Sequence, residues 1–324
     1  MEIGFFSFNS SSGSSLIEKK DSDWIANYEN IIEFAEKINK FKIPNLFLLP
    51  IARWKGSGDK NITGDAIETL TMAPLLLQKT NLNVYATIHT FSYLPEQVAY
   101  SAVFLNESFN NRFRINLVCG WKEDELKLFK INDWDYSKRY EKAQEWINRF
   151  KQTEKEYIKS KNNYNISPTL IMNAGFSEEG KKFAKKNVDN IFETIPSKIL
   201  DPNYKYKPND FPQLNDSYVC FTLFMGKSFE LANSKYEKNL RLANQLAVND
   251  YTEKMRKSDK IKGALYQLNE KFVKTGSGLP HLIADYQKII DVMNILKDNG
   301  TKGVAISLVD FNDAYEILEL LSRK

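Results

Sequence analysis

The sequence predicts a parallel (β/α)8 barrel, the TIM-barrel class of α/β fold, from three observations. Short apolar runs of strand length alternate along the chain with segments of helical periodicity. Eight such runs occur, and repeated strand–helix units indicate parallel strands. The length of 324 residues suits one large barrel, and no clear linker divides the chain. We therefore expect a single domain over residues 1–324.

The eight predicted strands are runs of aliphatic, β-branched and aromatic residues, which are enriched in strands. They cover residues 2–6, 45–50, 82–88, 113–118, 168–175, 188–192, 218–226 and 302–308. Each run is followed by a helix or an irregular link, which is the repeating unit of a barrel.

The predicted helices carry apolar residues at helical spacing, beginning with the repeat of Trp24, Tyr28, Ile31, Ile32, Ala35 and Ile38. Further helices are expected over 63–78, 95–107, 139–160 and 279–298, from 177 onward, from the seventh strand to about 250, and after the last strand. Residues 251–274 are polar and aperiodic, so we expect a mobile insertion late in the barrel.

The composition argues against nucleic-acid binding and membrane insertion. The residues are 42% hydrophobic and 27% charged, and the net charge is +4 with lysines scattered among acids, so there is no basic stripe. No stretch approaches the ~18 apolar residues of a membrane span. The start, MEIGFFSFNS, lacks the basic and apolar regions of a signal peptide.

The cysteines and histidines indicate neither disulfides nor a metal site. Cys119 and Cys220 lie in apolar strand-like runs and are expected to be buried free thiols in a reducing compartment, so we expect a cytoplasmic protein. His89 and His281 are far apart and have no nearby Cys, which argues against zinc.

Polar residues end or follow four consecutive predicted strands. Arg53 follows the second, Thr87 and His89 end the third, Asn116 lies inside the fourth, and Ser177 follows the fifth. Active sites of TIM barrels lie at the carboxyl ends of the strands, so these residues are the candidate site. A buried amide such as that of Asn116 requires hydrogen-bond partners.

Each of these residues also has a simpler interpretation. Arg53 could be a solvated loop charge, Thr87 an ordinary strand residue and His89 a hydrogen-bonded rim residue. Ser177 is most simply a helix N-cap, although a helix N-terminus also suits a phosphate group. No nucleophilic triad, GxGxxG motif or P-loop occurs, so a cofactor that carries its own chemistry is favoured.

Several segments together resemble the bacterial luciferase-like flavin monooxygenases, in the branch of the pyrimidine-ring-opening oxygenase and the alkanesulfonate and dimethylsulfone monooxygenases. The resemblance runs in order over nearly the whole chain, and NLVxGWxxxE followed by RY is its most specific signal. The segments are PIARWKGSGD (50–59), YATIHT (85–90), NRFRINLVCGWKEDE (111–125), RYEKAQEW (139–146), AGFSEEGKKFA (174–184) and GTKGVAISLVDFNDAYEIL (300–318).

The resemblance implies reduced FMN at the strand ends and O2 as co-substrate. It implies that the flavin is contacted by Ala52, Arg53, Asn116, Glu125, Arg139, Tyr140 and Ser177, with Ser177 at the phosphate. It also implies an oxygen pocket formed by Leu49, Ile51, Thr87 and Asn116. Gly120 would allow the chain to turn after the fourth strand, and Trp121 would lie near the site.

The implied enzyme is a two-component monooxygenase that oxygenates a small organic substrate through a flavin peroxide. A separate NAD(P)H:flavin reductase would supply reduced FMN, because the chain has no nicotinamide fingerprint. Thr87, Asn116 and His89 would be the catalytic residues, with His89 as proton donor. Relatives are often dimers, so a homodimer is expected. The insertion, with Lys254, Arg256 and Lys257, would be a lid or a solvated loop.

Two alternatives remain from the sequence: a non-catalytic FMN-binding flavoprotein and a deazaflavin-dependent dehydrogenase of the same superfamily. The segment between Tyr140 and Ser177 is shorter than in the relatives, so the substrate does not transfer from them. A sulfone, a sulfonate, a pyrimidine and a biosynthetic intermediate all stay open.

Overall fold

Eight parallel strands close into a barrel, which confirms the predicted fold class. The computed structural model describes residues 1–41, 43–52, 66–120, 123–132, 134–161, 165–175, 177–201, 204–258 and 279–323. The ring runs from β1 through β7 in chain order, and β9 then pairs with both β7 and β1 to close it.

Nine strands are present among the described residues. They are β1 Glu2–Phe6, β2 Leu46–Leu49, β3 Asn83–His89, β4 Phe113–Val118, β5 Ile171–Asn173, β6 Asn190–Thr194, β7 Ser217–Gly226, β8 His281–Asp285 and β9 Gly303–Leu308. The eight strands of the ring are the eight that the sequence predicts, although β5 is shorter than expected.

The strand β8 is a correction to the predicted helix over 279–298. Residues 281–285 instead pair in parallel with the second half of β7, and the helix begins only at Tyr286. Thr222 of β7 pairs with His281 on one edge and with Ser307 of β9 on the other, so β8 continues the edge that β6 occupies earlier. Asp285 ends the strand and caps the helix by accepting a hydrogen bond from the N–H of Lys288.

The described helices follow the predicted ones except for α4, which the sequence analysis did not predict, and for one predicted helix that is divided in two. They are α1 Tyr28–Asn39, α2 Thr69–Lys79, α3 Pro95–Ser108, α4 Glu123–Leu128, α5 Arg139–Lys161, α6 Glu178–Asn187, α7 Phe229–Leu242, α8 Gln245–Ser258, α9 Tyr286–Asp298 and α10 Asp313–Ser322. The single helix expected to about residue 250 is two helices, because Ala243 leaves the helix to form a bridge with Ile17.

The predicted insertion is helical in its first part. Residues 251–258 belong to α8, which contradicts the irregular structure expected there. Residues 259–274 and the side chains of Lys254, Arg256 and Lys257 lie outside the described residues. The lid and the single-domain organisation therefore stay predictions. Within the described part of the chain, none of the helices is long and apolar enough to cross a membrane.

Two hydrophobic layers fill the barrel, because successive strand residues point to opposite faces. The outer layer joins one strand face to the helices, as Leu48 and Ile115 do. The inner layer consists of strand residues that meet in the lumen: Phe47, Leu49, Tyr85, Met172, Phe192, Tyr218, Cys220 and Ala305.

A polar network, here called the floor network, closes the lumen at the amino ends of the strands. Tyr218 donates a hydrogen bond to the Glu2 carboxylate at 2.9 Å, and Tyr85 donates to Tyr218 at 3.1 Å. Arg114 donates to Tyr85 at 2.9 Å and lies 3.3 Å from the Glu2 carboxylate. This end of a TIM barrel serves stability rather than catalysis, so the site belongs at the opposite end.

Candidate active site

Two of the predicted residues occupy the lumen directly above the floor network. Thr87 and Asn116 are paired in the parallel register of β3 and β4, two residues beyond Tyr85 and Arg114. They therefore share the inner face with those residues, one layer closer to the carboxyl ends of the strands. Both side chains are buried.

A directed chain of hydrogen bonds joins these two residues to the end of β2. The Thr87 hydroxyl donates to the Pro50 carbonyl at 2.5 Å, and the Asn116 amide nitrogen donates to the Thr87 hydroxyl at 3.0 Å. A carbonyl oxygen only accepts, so the single hydroxyl hydrogen of Thr87 is used. Asn116 must then turn its amide nitrogen toward Thr87 and its carbonyl oxygen away.

The Asn116 carbonyl oxygen is buried and has no hydrogen-bond partner among the residues that the structure describes. Leaving a buried acceptor unsatisfied costs about 1–3 kcal/mol, so this oxygen suits a donor from outside the described residues. The site can accept one N–H or O–H donor at this point.

Leu49 and Ile51, the other members of the predicted oxygen pocket, flank Pro50 along the chain. Both are buried, Leu49 belongs to the inner layer, and the predicted flavin contact Ala52 is also buried. Pro50, between Leu49 and Ile51, contacts Thr87 through its carbonyl. Arg53 lies outside the described residues.

His89 lies one layer further along β3 and meets Glu125 from α4. Its Nδ1 atom is 3.7 Å from a carboxylate oxygen of Glu125, and both side chains are fully buried. Phe91 stands edge-on to the imidazole with 5.0 Å between ring centroids, and Trp134 contacts Phe91. On the His89 side, the pair is therefore bordered by aromatic rings.

Gly120 makes the close turn after β4 possible, as the sequence predicts. Its φ is +87°, in the left-handed region, and an added Cβ would approach Trp134 to 3.0 Å and Phe91 to 3.3 Å. Trp121, the next residue of the motif, lies outside the described residues.

Arg139, Tyr140 and Ser177 come together at the start of α6. The Ser177 hydroxyl accepts a hydrogen bond from the N–H of Gly180 at 3.1 Å, which confirms the N-cap interpretation. The Tyr140 hydroxyl is 3.2 Å from the Ser177 hydroxyl. Arg139 is buried with its guanidinium over the rings of Tyr136, at 3.9 Å, and Tyr140, at 4.3 Å.

Two glycines let the backbone approach closely at this helix start. A Cβ on Gly175 would lie 2.2 Å from the carbonyl oxygen of Gly180, and one on Gly180 would lie 2.5 Å from the Tyr140 hydroxyl. The Tyr140 and Ser177 hydroxyls lie together at the start of α6, and Arg139, stacked on Tyr140, lies 3.9 Å from the Glu179 carboxylate. A helix N-terminus beside hydroxyls and a guanidinium suits an anionic group.

Strand β5 lies between the end of β4 and the start of α6 and contacts the end of β4. The Asn173 side chain donates to the Leu117 carbonyl at 2.6 Å and to the Cys119 thiol at 3.6 Å. Burial raises the pKa of Cys119 to about 12, so this thiol stays protonated. Both cysteines are buried and free, as predicted.

Sequence analysis missed two contributors to the mouth. Strand β8 brings His281 beside Phe224, and burial lowers the pKa of this histidine to about 3. Asn9, in the serine-rich loop after β1, is fully buried and donates to the carbonyls of Ile51 and Ile67. A single Asn among turn-forming serines gives no signal of such long-range contacts.

Among the described residues, no group of three or more His, Cys, Asp or Glu side chains could hold a metal.

Comparison with known proteins relates this chain to oxygenases. The sequence model of one family, described as luciferase-like monooxygenase, matches residues 1–197. The chain is 24% identical to the pyrimidine monooxygenase RutA of Caulobacter vibrioides, over 98% of this chain and 96% of that protein.

Solved structures share the fold. The crystal structure of the long-chain alkane monooxygenase LadA matches with a TM-score of 0.69 and 15% identity, over 100% of this chain and 91% of that one. An F420-dependent secondary alcohol dehydrogenase matches with a TM-score of 0.60 and 13% identity, over 100% and 98% of the two chains.

Proposed function

The chain belongs to the luciferase-like monooxygenase family of flavin-dependent enzymes, and we propose that it is an FMN-dependent monooxygenase. It would use reduced FMN and O2 to insert one oxygen atom into a small organic substrate, with the other oxygen atom released as water and FMN returned to its oxidised form. The observation that carries the proposal is the buried Asn116 carbonyl oxygen, which faces away from Thr87 with no partner among the described residues.

The described residues fit FMN at both ends of that cofactor. The Asn116 carbonyl oxygen suits an N–H of the flavin ring, and the buried Leu49, Ile51 and Ala52 supply an apolar wall. Arg139, Tyr140, Ser177 and the first N–H groups of α6 suit the phosphate. Arg53, which the resemblance also assigns to the flavin, lies outside the described residues.

When bound and reduced, FMN supplies the two electrons that activate dioxygen. The residues of the chain then position O2 and exclude water. Thr87 has no hydrogen to offer, because its hydroxyl donates to Pro50, so the second N–H of Asn116 is the donor toward dioxygen. Thr87 contributes its methyl group and the orientation of Asn116, and Leu49 and Ile51 complete the pocket.

His89 supplies a proton at the mouth, and Glu125 orients it. The Glu125 carboxylate lies 3.7 Å from Nδ1 of His89, close enough to restrict the orientation of the imidazole ring. Phe91 packs edge-on against His89, and Trp134 packs against Phe91, which limits the access of bulk water to His89.

The remaining parts of the proposal concern partners and location. A separate NAD(P)H:flavin reductase supplies reduced FMN, and the enzyme forms a homodimer. The two buried free thiols, Cys119 and Cys220, support a reducing compartment, and we place the enzyme in the cytoplasm.

Two other functions compete with this one. The short segment between Tyr140 and Ser177 favours a non-catalytic FMN-binding protein, and the similarity in fold to an F420-dependent dehydrogenase favours a deazaflavin enzyme. The pairing of Thr87 with Asn116 beside an apolar pocket supports oxygen chemistry over both.

Incorporation of labelled oxygen separates the three functions. The protein, FMN, NADH, a flavin reductase and a panel of pyrimidines, sulfones and sulfonates are incubated under 18O2. A monooxygenase yields a product that carries one 18O atom, and Thr87→Ala abolishes its formation while FMN still binds. FMN binding without labelled product from a broad panel favours the silent flavoprotein. Substrate oxidation with F420 but not FMN identifies the dehydrogenase.

A further inference from the structure

Asn9 is a fully buried amide whose orientation is fixed by its partners. Its side-chain nitrogen donates to the carbonyls of Ile51 and Ile67, each at 2.8 Å, and its side-chain oxygen accepts from the N–H of Ile51 at 2.8 Å. Carbonyls only accept and the backbone N–H only donates, so the amide has one possible orientation.

The contact with Ile51 orients the peptide group between Pro50 and Ile51. That peptide is trans, because there is no cis bond among the described residues, and its N–H and C=O therefore point in opposite directions. Asn9 holds the N–H, so the Pro50 carbonyl points the other way, where it accepts the hydrogen bond from Thr87.

The donor and acceptor roles are fixed along the chain of hydrogen bonds as far as Asn116. Thr87 gives its only hydrogen to Pro50 and so must accept from the amide nitrogen of Asn116, at 3.0 Å. The Asn116 carbonyl oxygen is thereby turned to the side where the described residues provide no donor. Four structural segments carry this chain: the loop after β1, the end of β2, β3 and β4.

We propose that Asn9 is a positioning residue that sets, through Pro50 and Thr87, the direction in which Asn116 presents its carbonyl oxygen to the cofactor. The site then selects a ligand that donates an N–H at this point, as a flavin ring does, and disfavours one that presents only an acceptor. This inference rests on the proposed function, because it names the group that makes the flavin site selective. Asn9 itself touches the end of β2 and Ile67 rather than the ligand.

The test compares Asn9→Ala with a matched control, Asn106→Ala. Asn106 is also a buried amide, which donates to Thr169 at 2.9 Å and accepts from the N–H of Phe113 at 3.0 Å, at the other end of the barrel. Both substitutions should lower the midpoint of thermal unfolding. Only Asn9→Ala should raise the Kd for FMN, by about 5- to 10-fold, the value of one hydrogen bond.

A double variant tests whether Asn9 acts through Thr87. Thr87→Val should raise the Kd for FMN as Asn9→Ala does. The double variant Asn9→Ala/Thr87→Val should bind FMN no more weakly than the weaker-binding single variant, because both substitutions break the same chain of hydrogen bonds. An increase in Kd for the double variant equal to the product of the two single increases would overturn the proposal. An increase in Kd for Asn106→Ala equal to that for Asn9→Ala would also overturn it.

A readout without cofactor keeps this test independent of the proposed function. If the unaltered protein binds FMN in neither redox state, the proposed function fails. The thermal midpoints of the cofactor-free variants still decide the chain of hydrogen bonds. A shift for Asn9→Ala/Thr87→Val smaller than the sum of the single shifts supports it, and a fully additive shift contradicts it.

Discussion

The tight contact between Gly180 and Tyr140 predicts that Gly180→Ala weakens binding of the FMN phosphate. An added Cβ would lie 2.5 Å from the Tyr140 hydroxyl and 2.8 Å from the Cα of Gly175, whereas ordinary contact begins at 3.4 Å. The hydroxyl must move by roughly 0.9 Å, which breaks its contact with Ser177. At an uncrowded helix position, Gly→Ala would raise the free energy of unfolding by about 0.5–1 kcal/mol. The steric overlap at Gly180 instead lowers it by about 1–3 kcal/mol.

The assay compares the affinities for FMN and for riboflavin, which lacks the phosphate. The loss of one charge-assisted contact lowers FMN affinity by about tenfold, because 1.4 kcal/mol corresponds to that factor. Riboflavin affinity should stay within about twofold. The exposed neighbouring substitution Glu178→Ala is the control and should leave both affinities unchanged.

A second variant tests the physical cause. Tyr140→Phe/Gly180→Ala removes the hydroxyl that the new methyl group meets, so part of the thermal stability lost in Gly180→Ala should return. An equal loss of FMN and riboflavin affinity, or no loss of either, would refute the assignment of this helix start to the phosphate.

Three further predictions concern stability, pH and thiol reactivity. Tyr218→Phe removes the hydrogen bond to Glu2 and should lower the free energy of unfolding in urea by about 1–3 kcal/mol, with FMN affinity unchanged. The pKa of His281 is lowered to about 3, below its unfolded value near 6.5, so the unfolded state binds the extra proton and stability falls as pH drops from 6.5 toward 3. Between pH 6.5 and 3, the difference in unfolding free energy between the unaltered protein and His281→Gln should change by up to about 1.4 kcal/mol per pH unit. A difference that stays constant over this range would contradict the burial of the His281 side chain. Burial raises the pKa of Cys119 and Cys220, so iodoacetamide at pH 8 should label neither thiol until the protein is unfolded.

The sequence predicted the elements whose patterns are local. All eight strands of the ring are apolar runs of strand length, and the helices over α2, α3 and α5 have regular apolar spacing. Strand β8 was missed because Leu282 and Ile283 run directly into the periodic positions of α9. Whether such a run pairs as a strand depends on the free edge of β7, which periodicity does not reveal.

The residues of the candidate site likewise divide into those that the sequence predicted and those that it missed. Thr87 and Asn116 lie in the carboxyl-terminal halves of their strands and Ser177 follows a strand, which is the end of the barrel where active sites are expected. Asn9 could not be found, because its partners are backbone groups at positions 51 and 67, and backbone contacts leave no mark on residue types. The pairing of His89 with Glu125 likewise depends on how α4 folds back.

Anaerobic titration with reduced FMN, followed by rapid mixing with oxygenated buffer, tests the proposed oxygenase most directly. We expect saturable binding of reduced FMN and reoxidation with a transient absorbance that free reduced FMN does not give. Asn116→Ala should lose the transient and weaken binding by about tenfold. Reoxidation indistinguishable from that of free reduced FMN, with no saturable binding, would contradict the assignment of this barrel mouth as a flavin site.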